Sequence, residues 1–366
     1  MNKLRWGILG AARIARKNWK AIRHSGNSTI TAVASRDLNR ARAFVDECQR
    51  FERFERVPDV FDSYEKLILS PNVDAVYIPL PTKLRKEWIV KAAKAGKHVL
   101  SEKPCAVSLT DMEDILAACR KHRVQFMDGV MFSHNRRLDQ LRQVLDDGTS
   151  VGTLRRISSQ FSFLGGEDFF KTNIRADGLL EPLGCLGDLG WYCVRLALWT
   201  MNWQMPVEVS GRILAQTQEL LSGLAVPTAF SGELIFAEGV SADFYCSFLS
   251  DHTQWANFSG SKGYLRVPDF VLPFTGSALA FEVNQVKSSV DGCDWRLEHG
   301  VRQFSFAEPG TNPATTQEAN MFRNFSKAVL SRHLNEDYAH WALLTQKVVN
   351  ACMDAAMTRG NRAAVR

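Results

Sequence analysis

An α/β chain is predicted, with an N-terminal doubly wound parallel sheet followed by an α+β domain built on a large, mostly antiparallel, open-faced sheet. Three observations predict it. Short apolar runs alternate with helical segments about six times in roughly the first 150 residues. The first run ends in the small-residue turn Gly10-Ala11-Ala12-Arg13-Ile14-Ala15. After Asp146-Asp147-Gly148 the alternation gives way to successive strand-like runs.

The first element is the apolar run Trp6 to Leu9, stopped by Gly10, with a helix expected over Ile14 to Ile22. Thr29 to Ala34 is β-branched and apolar, which suits a buried parallel strand. A helix over Asp37 to Cys48 puts Ala41, Phe44 and Val45 on one face. Tyr64 to Leu69 reads as a short helix ended by the turn residues Ser70-Pro71-Asn72. Strands are expected over Val73–Ile78, Lys97–Leu100 and Val124–Met127, and helices over Leu84–Ala95, Thr110–His122 and Arg137–Leu145. Further strands are expected over Leu154–Phe163, Val207–Leu214, Thr228–Phe236, Val240–Phe248, Trp255–Ser259 and Tyr264–Val267. Helices over Gln317–Val329 and Ala339–Met357 close the chain.

A chain of 366 residues exceeds one comfortable core. We therefore divide it into a dinucleotide-binding domain over residues 1–150 and an α+β substrate and oligomerisation domain over 151–338. Residues 339–366 are expected to form a helix packing back on the first domain. The net charge of +6 is spread along the chain without a basic stripe, which argues against nucleic acid. The eight cysteines include no C-x-x-C pair and no zinc spacing, and the histidines show no ligand pattern, so no metal site is expected. Buried thiols in a reducing compartment, no signal segment and no apolar run long enough for a membrane together point to the cytoplasm.

The Gly10 turn carries the first chemistry. A turn that holds a dinucleotide pyrophosphate needs small residues to bend tightly, to bring the backbone to the phosphates, and to pack helix on strand. Gly10 meets the first need, and Ala15 fills the packing position. Ala12 stands where a second glycine is usual, so the motif depends on its strand–turn–helix setting. The expected contacts are Gly10, Ala11, Ala12, Arg13 and Ile14 on the phosphates of a Rossmann-type site.

At the tip of the second strand stand Ser35 and Arg36, with Asp37 after them. A carboxylate at that tip suits the free ribose of NAD, whereas a guanidinium pairs with the 2′-phosphate of NADP. With Arg40 one turn on, NADP(H) is favoured over NAD(H). The alternative is that both arginines are solvated and Asp37 only caps a helix.

Ser101-Glu102-Lys103-Pro104 lies at the carboxyl edge of the sheet, where Pro104 stiffens the turn and an X-Pro bond offers a cis peptide to aim a side chain. Together with the Gly10 turn and Gly184-Cys185-Leu186-Gly187-Asp188-Leu189-Gly190-Trp191-Tyr192, this loop resembles the Gfo/Idh/MocA oxidoreductases over nearly the whole chain. The dihydrodiol dehydrogenase and NADP-dependent xylose dehydrogenase branch is the nearest in pattern.

The resemblance places the family's lysine on Lys103 and its aspartate and His-or-Tyr on Asp188 and Tyr192, four residues apart on one helix face. It also places Pro79, Leu80, Pro81 and Thr82, with Glu102, beside the cofactor. Arg85 stands where relatives often have histidine. The implied assembly is a homodimer through the second domain's sheet.

Oxidising an alcohol requires hydride transfer and removal of the hydroxyl proton. A phenol with an ordinary pKa of about 10 is a poor base until a neighbouring ammonium favours phenolate. Tyr192 is therefore expected as acid/base, Lys103 as its tuner and the substrate's polariser, and Asp188 as an orienting group. His134, Asn173 and Arg175, with Asn135, are candidates for substrate hydroxyls, and Phe161, Phe163, Phe169 and Phe170 for a cleft wall. The expected reaction is NADP(H)-dependent hydride transfer at a sugar or polyol carbon. The alternatives are trans-dihydrodiol oxidation and a non-catalytic NADP sensor, which would not need Lys103, Asp188 and Tyr192 together.

Overall fold

The computed structural model describes residues 2–217, 222–274, 279–306 and 316–358. The chain divides into two compact units. One comprises Met1–Asn135, Asp177–Pro182 and Asn312–Gln346, and the other Arg136–Ala176, Leu183–Thr311 and Lys347–Arg366.

In the first unit β1 (Leu4–Leu9), α1 (Arg13–His24), β2 (Ser28–Ala34), α2 (Leu38–Phe51), β3 (Asp59–Phe61) and α3 (Tyr64–Leu69) form one half. The other half is β4 (Ala75–Ile78), α4 (Thr82–Lys94), β5 (His98–Ser101), α5 (Leu109–Lys121) and β6 (Phe126–Asp128). All neighbours pair in parallel, in the order β3-β2-β1-β4-β5-β6. The chain thus reverses its progress between β1 and β4, which opens a crevice at the carboxyl ends of those strands.

Local chemistry sets the boundaries. Asp37, Ser63 and Ser108 accept backbone N–H bonds at the starts of α2, α3 and α5, which satisfies first-turn donors. The sheet interior is apolar on both faces, as β2 (STITAVA) illustrates with Ile30, Ala32, Val33 and Ala34 buried. Trp6 is buried from β1.

The second unit opens with α6 (Arg137–Asp146), β7 (Leu154–Leu164) and α7 (Glu167–Thr172), and continues with a π-helical turn over Leu186–Gly190 and α8 (Trp191–Thr200). Then come β8 (Glu208–Gln216), β9 (Pro227–Ile235), β10 (Ser241–Ser247), β11 (Leu249–Thr253), β12 (Ala256–Gly260), β13 (Tyr264–Val267), β14 (Leu279–Asp291) and β15 (Asp294–Phe306). They form a nine-stranded sheet in the order β15-β14-β13-β12-β7-β10-β9-β8, with β11 beside β7. Every pair is antiparallel except β7 with β10. Ile157 and Phe161 of β7 face inward and are buried, while Arg156, Ser158 and Gln160 alternate onto the other face.

Two helices end the described chain. In the first unit α9 (Gln317–Leu330) is capped by Thr316 and places Phe322 and Phe325 with ring centroids 5.2 and 4.9 Å from that of Trp6. In α10 (Asp337–Met357), Ala342 joins the first unit's core, and the carbonyl of Cys352 lies against Gly211 of the second unit.

The predicted α/β plus α+β plan holds, with corrections to its elements. The strand β3 was not expected because DVF is too short to show a period. The hairpin β14–β15 was not expected because its distal half is exposed and carries no continuous apolar run on either side of Asp291-Gly292-Cys293-Asp294. The turn signal was nonetheless there, since Asp-Gly is a hairpin dipeptide and Gly292 adopts φ +61°.

Candidate active site

In the first unit, Gly10 closes β1 with φ +113°, a conformation glycine adopts without strain. Its amide donates to Ala34 O at 2.8 Å, and a Cβ there would meet Leu80 Cδ2 at 3.1 Å and Tyr64 Oη at 3.8 Å. The turn therefore lies where β1 and β4 separate. Ala12 is the N-cap residue of α1, and no side chain caps this helix. An uncapped helix start beside a glycine turn presents backbone N–H groups and a positive dipole end, which together suit a pyrophosphate.

Ser35 is buried at the end of β2, its amide donating to Phe61 O at 3.1 Å. Asp37 accepts from the amides of Asn39 at 2.9 Å and Arg40 at 3.3 Å, so its carboxylate is committed to capping α2. Arg36 and Arg40 are exposed. Burial raises the Tyr64 phenol above its ordinary range, while both guanidiniums act on it from nearby in the opposite direction. Gly10, Tyr64, Arg36 and Arg40 thus share one end of the sheet, and a phosphorylated dinucleotide fits that set.

Glu102 and Lys103 follow β5, with the Glu102 amide donating to Ile78 O at 3.1 Å. Lys103 is 8% exposed, and the Lys103–Pro104 peptide is cis. The Glu102 carboxylate is held by two residues that sequence reasoning missed. Tyr77 Oη donates to its Oε1 at 2.5 Å, and Asn18 Nδ2 donates to Tyr77 Oη at 2.6 Å and to Oε1 at 3.3 Å. Burial, and then the neighbouring Glu102 charge, push the Tyr77 phenol well above its ordinary range, so it stays a proton donor. A signal was available. A tyrosine inside the apolar strand AVYI needs a partner for its hydroxyl.

After β4, both polar groups of Thr82 serve Glu181: the amide donates to Oε1 at 2.9 Å and the hydroxyl to Oε2 at 2.5 Å. Pro79, Leu80 and Pro81 complete that loop, with Leu80 buried. His134 ends a 3-10 turn over Met131–His134; its Nδ1 lies 3.1 Å from Asn324 Nδ2, and its ring 5.8 Å from that of Tyr338. Asn135 is buried and donates to Gln317 Oε1 at 3.2 Å.

In the second unit, Asp188 sits in the π-helical turn, and Tyr192 follows in the first turn of α8. Such wide turns place a side chain off the regular helical path and are frequent at functional positions. Gly184 makes the entry possible. With φ +49°, it runs so close to β9 that a Cβ would meet Pro227 O at 2.3 Å. Arg175 Nε donates to Asp188 Oδ2 at 2.8 Å, and Asn173 Oδ1 accepts from the Arg175 amide at 3.0 Å. Tyr192 is buried, and Phe161 meets its ring edge-on at 5.5 Å. Phe163, Phe169 and Phe170 form a separate aromatic set, with Phe248 against the first two.

The second unit therefore brings Asn173, Arg175, Asp188, Tyr192 and Phe161 into three local contacts, Asn173–Arg175, Arg175–Asp188 and Phe161–Tyr192. Lys103, His134 and the cofactor-side residues belong to the first unit. Among the described residues no group of His, Cys, Asp and Glu could hold a metal ion, and no helix is long and apolar enough to cross a membrane.

Comparison with known proteins shows the family. The model of the Gfo/Idh/MocA oxidoreductase family with its NAD-binding Rossmann fold matches residues 4–130, and that of the family's C-terminal domain matches residues 138–266. The mouse trans-1,2-dihydrobenzene-1,2-diol dehydrogenase is 31% identical over 301 residues, 81% of this chain and 84% of that protein. D-xylose 1-dehydrogenase (NADP(+)) 2 of Haloferax volcanii is 30% identical over 325 residues, 86% of this chain and 93% of that protein. A crystal structure of a 3-ketoreductase from Actinomadura kijaniata, a variant with phenylalanine in place of a tyrosine in complex with TDP-benzene and NADP, superposes with a TM-score of 0.78 at 25% identity. That match covers 97% of this chain and 98% of the reductase. Two matched domains in the same order, over two units of the corresponding folds, make this chain a member of the Gfo/Idh/MocA oxidoreductase family.

Proposed function

We propose that the protein is an NADP(H)-dependent oxidoreductase that transfers a hydride between the nicotinamide and a hydroxyl or carbonyl carbon of a sugar or related polyol. The observation that carries the cofactor choice is the cationic end of β2: Arg36 and Arg40 act on Tyr64 beside the Gly10 turn, while Asp37 is spent on a helix cap. A 2′-phosphate gains two guanidiniums there, and Asp37 Oδ1 is already taken by two helix amides. A xylose dehydrogenase relative named for NADP(+) and a ketoreductase crystallised with NADP support the same choice.

When bound, NADP(H) supplies or accepts the hydride. Gly10, Ala11, Ala12, Arg13 and Ile14 hold its pyrophosphate, Ser35, Arg36 and Arg40 its 2′-phosphate, and the 79–82 and 102–103 loops its nicotinamide side. The family resemblance assigns transfer of the substrate's proton to Tyr192, a polarising role to Lys103 and the orienting of a substrate hydroxyl to Asp188. Asn173 and Arg175 add polar contacts beside Asp188, and His134 a further one. Oxidation of a trans-dihydrodiol is the second reading. It is favoured by the dihydrodiol dehydrogenase relative and by the ring of Phe161 against Tyr192.

A homodimer through the second unit's sheet belongs to the same proposal. By register, Val286 and Val290 of β14 and Trp295, Leu297 and Val301 of β15 fall on one face of the hairpin, and all five are exposed. That face is continuous with the uncovered side of the sheet, and an apolar ribbon of this kind calls for cover. Eight cysteines without a disulfide suit a cytoplasmic setting.

The test is to purify the protein, identify any nucleotide that accompanies it, and screen aldoses, polyols and dihydrodiols for absorbance change at the nicotinamide band. Turnover with NADP(H) on a sugar is expected. Cofactor binding with no turnover on any of these substrates would favour a sensor.

A further inference from the structure

One side chain ties together the two loops that follow β4 and β5. Arg85, in the first turn of α4, is 6% exposed. Its Nε donates to Leu80 O at 2.7 Å, and its Nη1 donates to Thr82 Oγ1 at 2.9 Å and to Pro104 O. Glu181 Oε1 lies 3.9 Å from Nη2 and supplies the counter-charge. The same carboxylate takes the amide and hydroxyl of Thr82, and Lys83 N donates to Leu180 O at 3.1 Å, so residues 180–181 close the start of α4. All of these groups lie within the first unit.

We propose that Arg85 is a positioning residue for Lys103, a role that rests on the function proposed above. Pro104 O is the carbonyl immediately after the lysine, and Leu80 O belongs to the loop between β4 and α4. A guanidinium is planar, with five donors in a rigid fork, so bonds to both carbonyls fix the separation and tilt of the two loops. The direction in which Lys103 leaves the backbone follows from that. An ammonium on a flexible stem makes similar bonds singly and leaves the spacing free. The buried charge argues the same way. Burying a cation is costly unless its donors and charge are answered, and here three oxygens and Glu181 answer them. A simple helix-capping role requires neither the Pro104 bond nor the Leu80 bond.

The test uses the full-length protein and the variants Arg85→Met, Arg85→Lys and Glu181→Gln. Hydrogen exchange without added cofactor should quicken about tenfold or more in peptides spanning 79–84 and 101–107 of Arg85→Met, while the β1, β2 and β4 amides keep their protection. With NADPH and a reducible carbonyl, kcat should fall about tenfold to a hundredfold, as expected when a reacting group loses its orientation. NADPH affinity, which also rests on the Gly10 turn and the Arg36 end of the sheet, should fall by a smaller factor than kcat, and the isotope effect from deuterium at the transferred position should rise. If Arg85→Met does not fold, Arg85→Lys carries both readouts, with smaller effects of the same sign. Unchanged exchange in the two loops overturns the proposal, as does unchanged kcat with an unchanged isotope effect. Should the wild-type protein reduce nothing, the role of Lys103 fails, and the exchange experiment alone still decides whether Arg85 orders the loops.

Discussion

Arg175 Nε donates to Asp188 Oδ2 at 2.8 Å, and the two side chains differ in exposure, 44% against 16%. The more buried partner is the one proposed to orient the substrate, and the more exposed one can turn toward solvent. An aspartate that orients a substrate hydroxyl needs its own carboxylate held in place, and the bond from Arg175 holds one of its oxygens. A charge-assisted hydrogen bond of this kind contributes about 1.5–3 kcal/mol. Arg175→Met should therefore lower kcat/KM by about tenfold to a hundredfold, with Arg175→Lys between it and wild type. Steady-state kinetics on the best substrate from the screen measure this, and equal kcat/KM in all three proteins would remove the pair from the mechanism.

Tyr192 offers the sharpest test of the chemistry. Removing one oxygen from a ring that stays packed edge-on against Phe161 changes little else in α8. Tyr192→Phe should cut turnover by about 10² to 10⁴, the range of one acid/base group, while NADPH still binds. Single-turnover kinetics combined with NADPH fluorescence titration separate the two quantities. Turnover within a factor of about three of wild type would contradict the assignment.

The local conformation around the candidate residues was legible in the sequence because its signals are local. Gly10 carries a positive φ, Asp37 stands where a cap belongs, and the Asp188–Tyr192 spacing falls on consecutive turns. What escaped is held by contacts between residues far apart in the chain. Tyr77 and Asn18 reach Glu102 across 25 and 84 positions, and Glu181 reaches Thr82 across 99. No periodicity announces such pairs. The hairpin β14–β15 escaped for another reason: strands exposed over much of their length lack the apolar run that marks a buried strand, and only the Asp291-Gly292 turn betrays them. Arg85 was visible as a residue, but its bonds to Leu80 and Pro104 depend on how the β4 and β5 loops come together.

Arg36 should decide between the two nicotinamide dinucleotides. Its guanidinium and that of Arg40 are exposed just beyond β2, and Asp37, the residue after Arg36, already accepts from two amides. Arg36→Ala should weaken NADPH binding by about tenfold or more and leave NADH binding within a factor of about two, since only the former carries the 2′-phosphate. The double variant with Arg40→Ala should be weaker again. Fluorescence titrations at a fixed ionic strength provide the comparison, because screening alone alters exposed charge contacts. A parallel loss for both dinucleotides would place the arginines elsewhere in the site.

His98 makes the fold sensitive to mild acid. At the start of β5, its Nδ1 accepts from the Gln125 amide at 2.8 Å, so that nitrogen carries no proton in the folded protein. Burial holds the imidazole below its ordinary range, and the nearby Asp74 only partly offsets this. The unfolded chain, with an ordinary histidine pKa of about 6.5, therefore takes up a proton at a higher pH than the folded protein does. More protons on the unfolded state mean that stability rises with pH. The contribution is full above about pH 6.5 to 7 and declines as pH falls through 6.5 toward the lower folded value. Urea midpoints measured from pH 5 to pH 7.5 should show this decline in the wild-type protein. In His98→Asn, whose side-chain oxygen can accept the same amide without titrating, the profile should be flatter over that interval. An equal slope in both proteins would assign the acid sensitivity to another group.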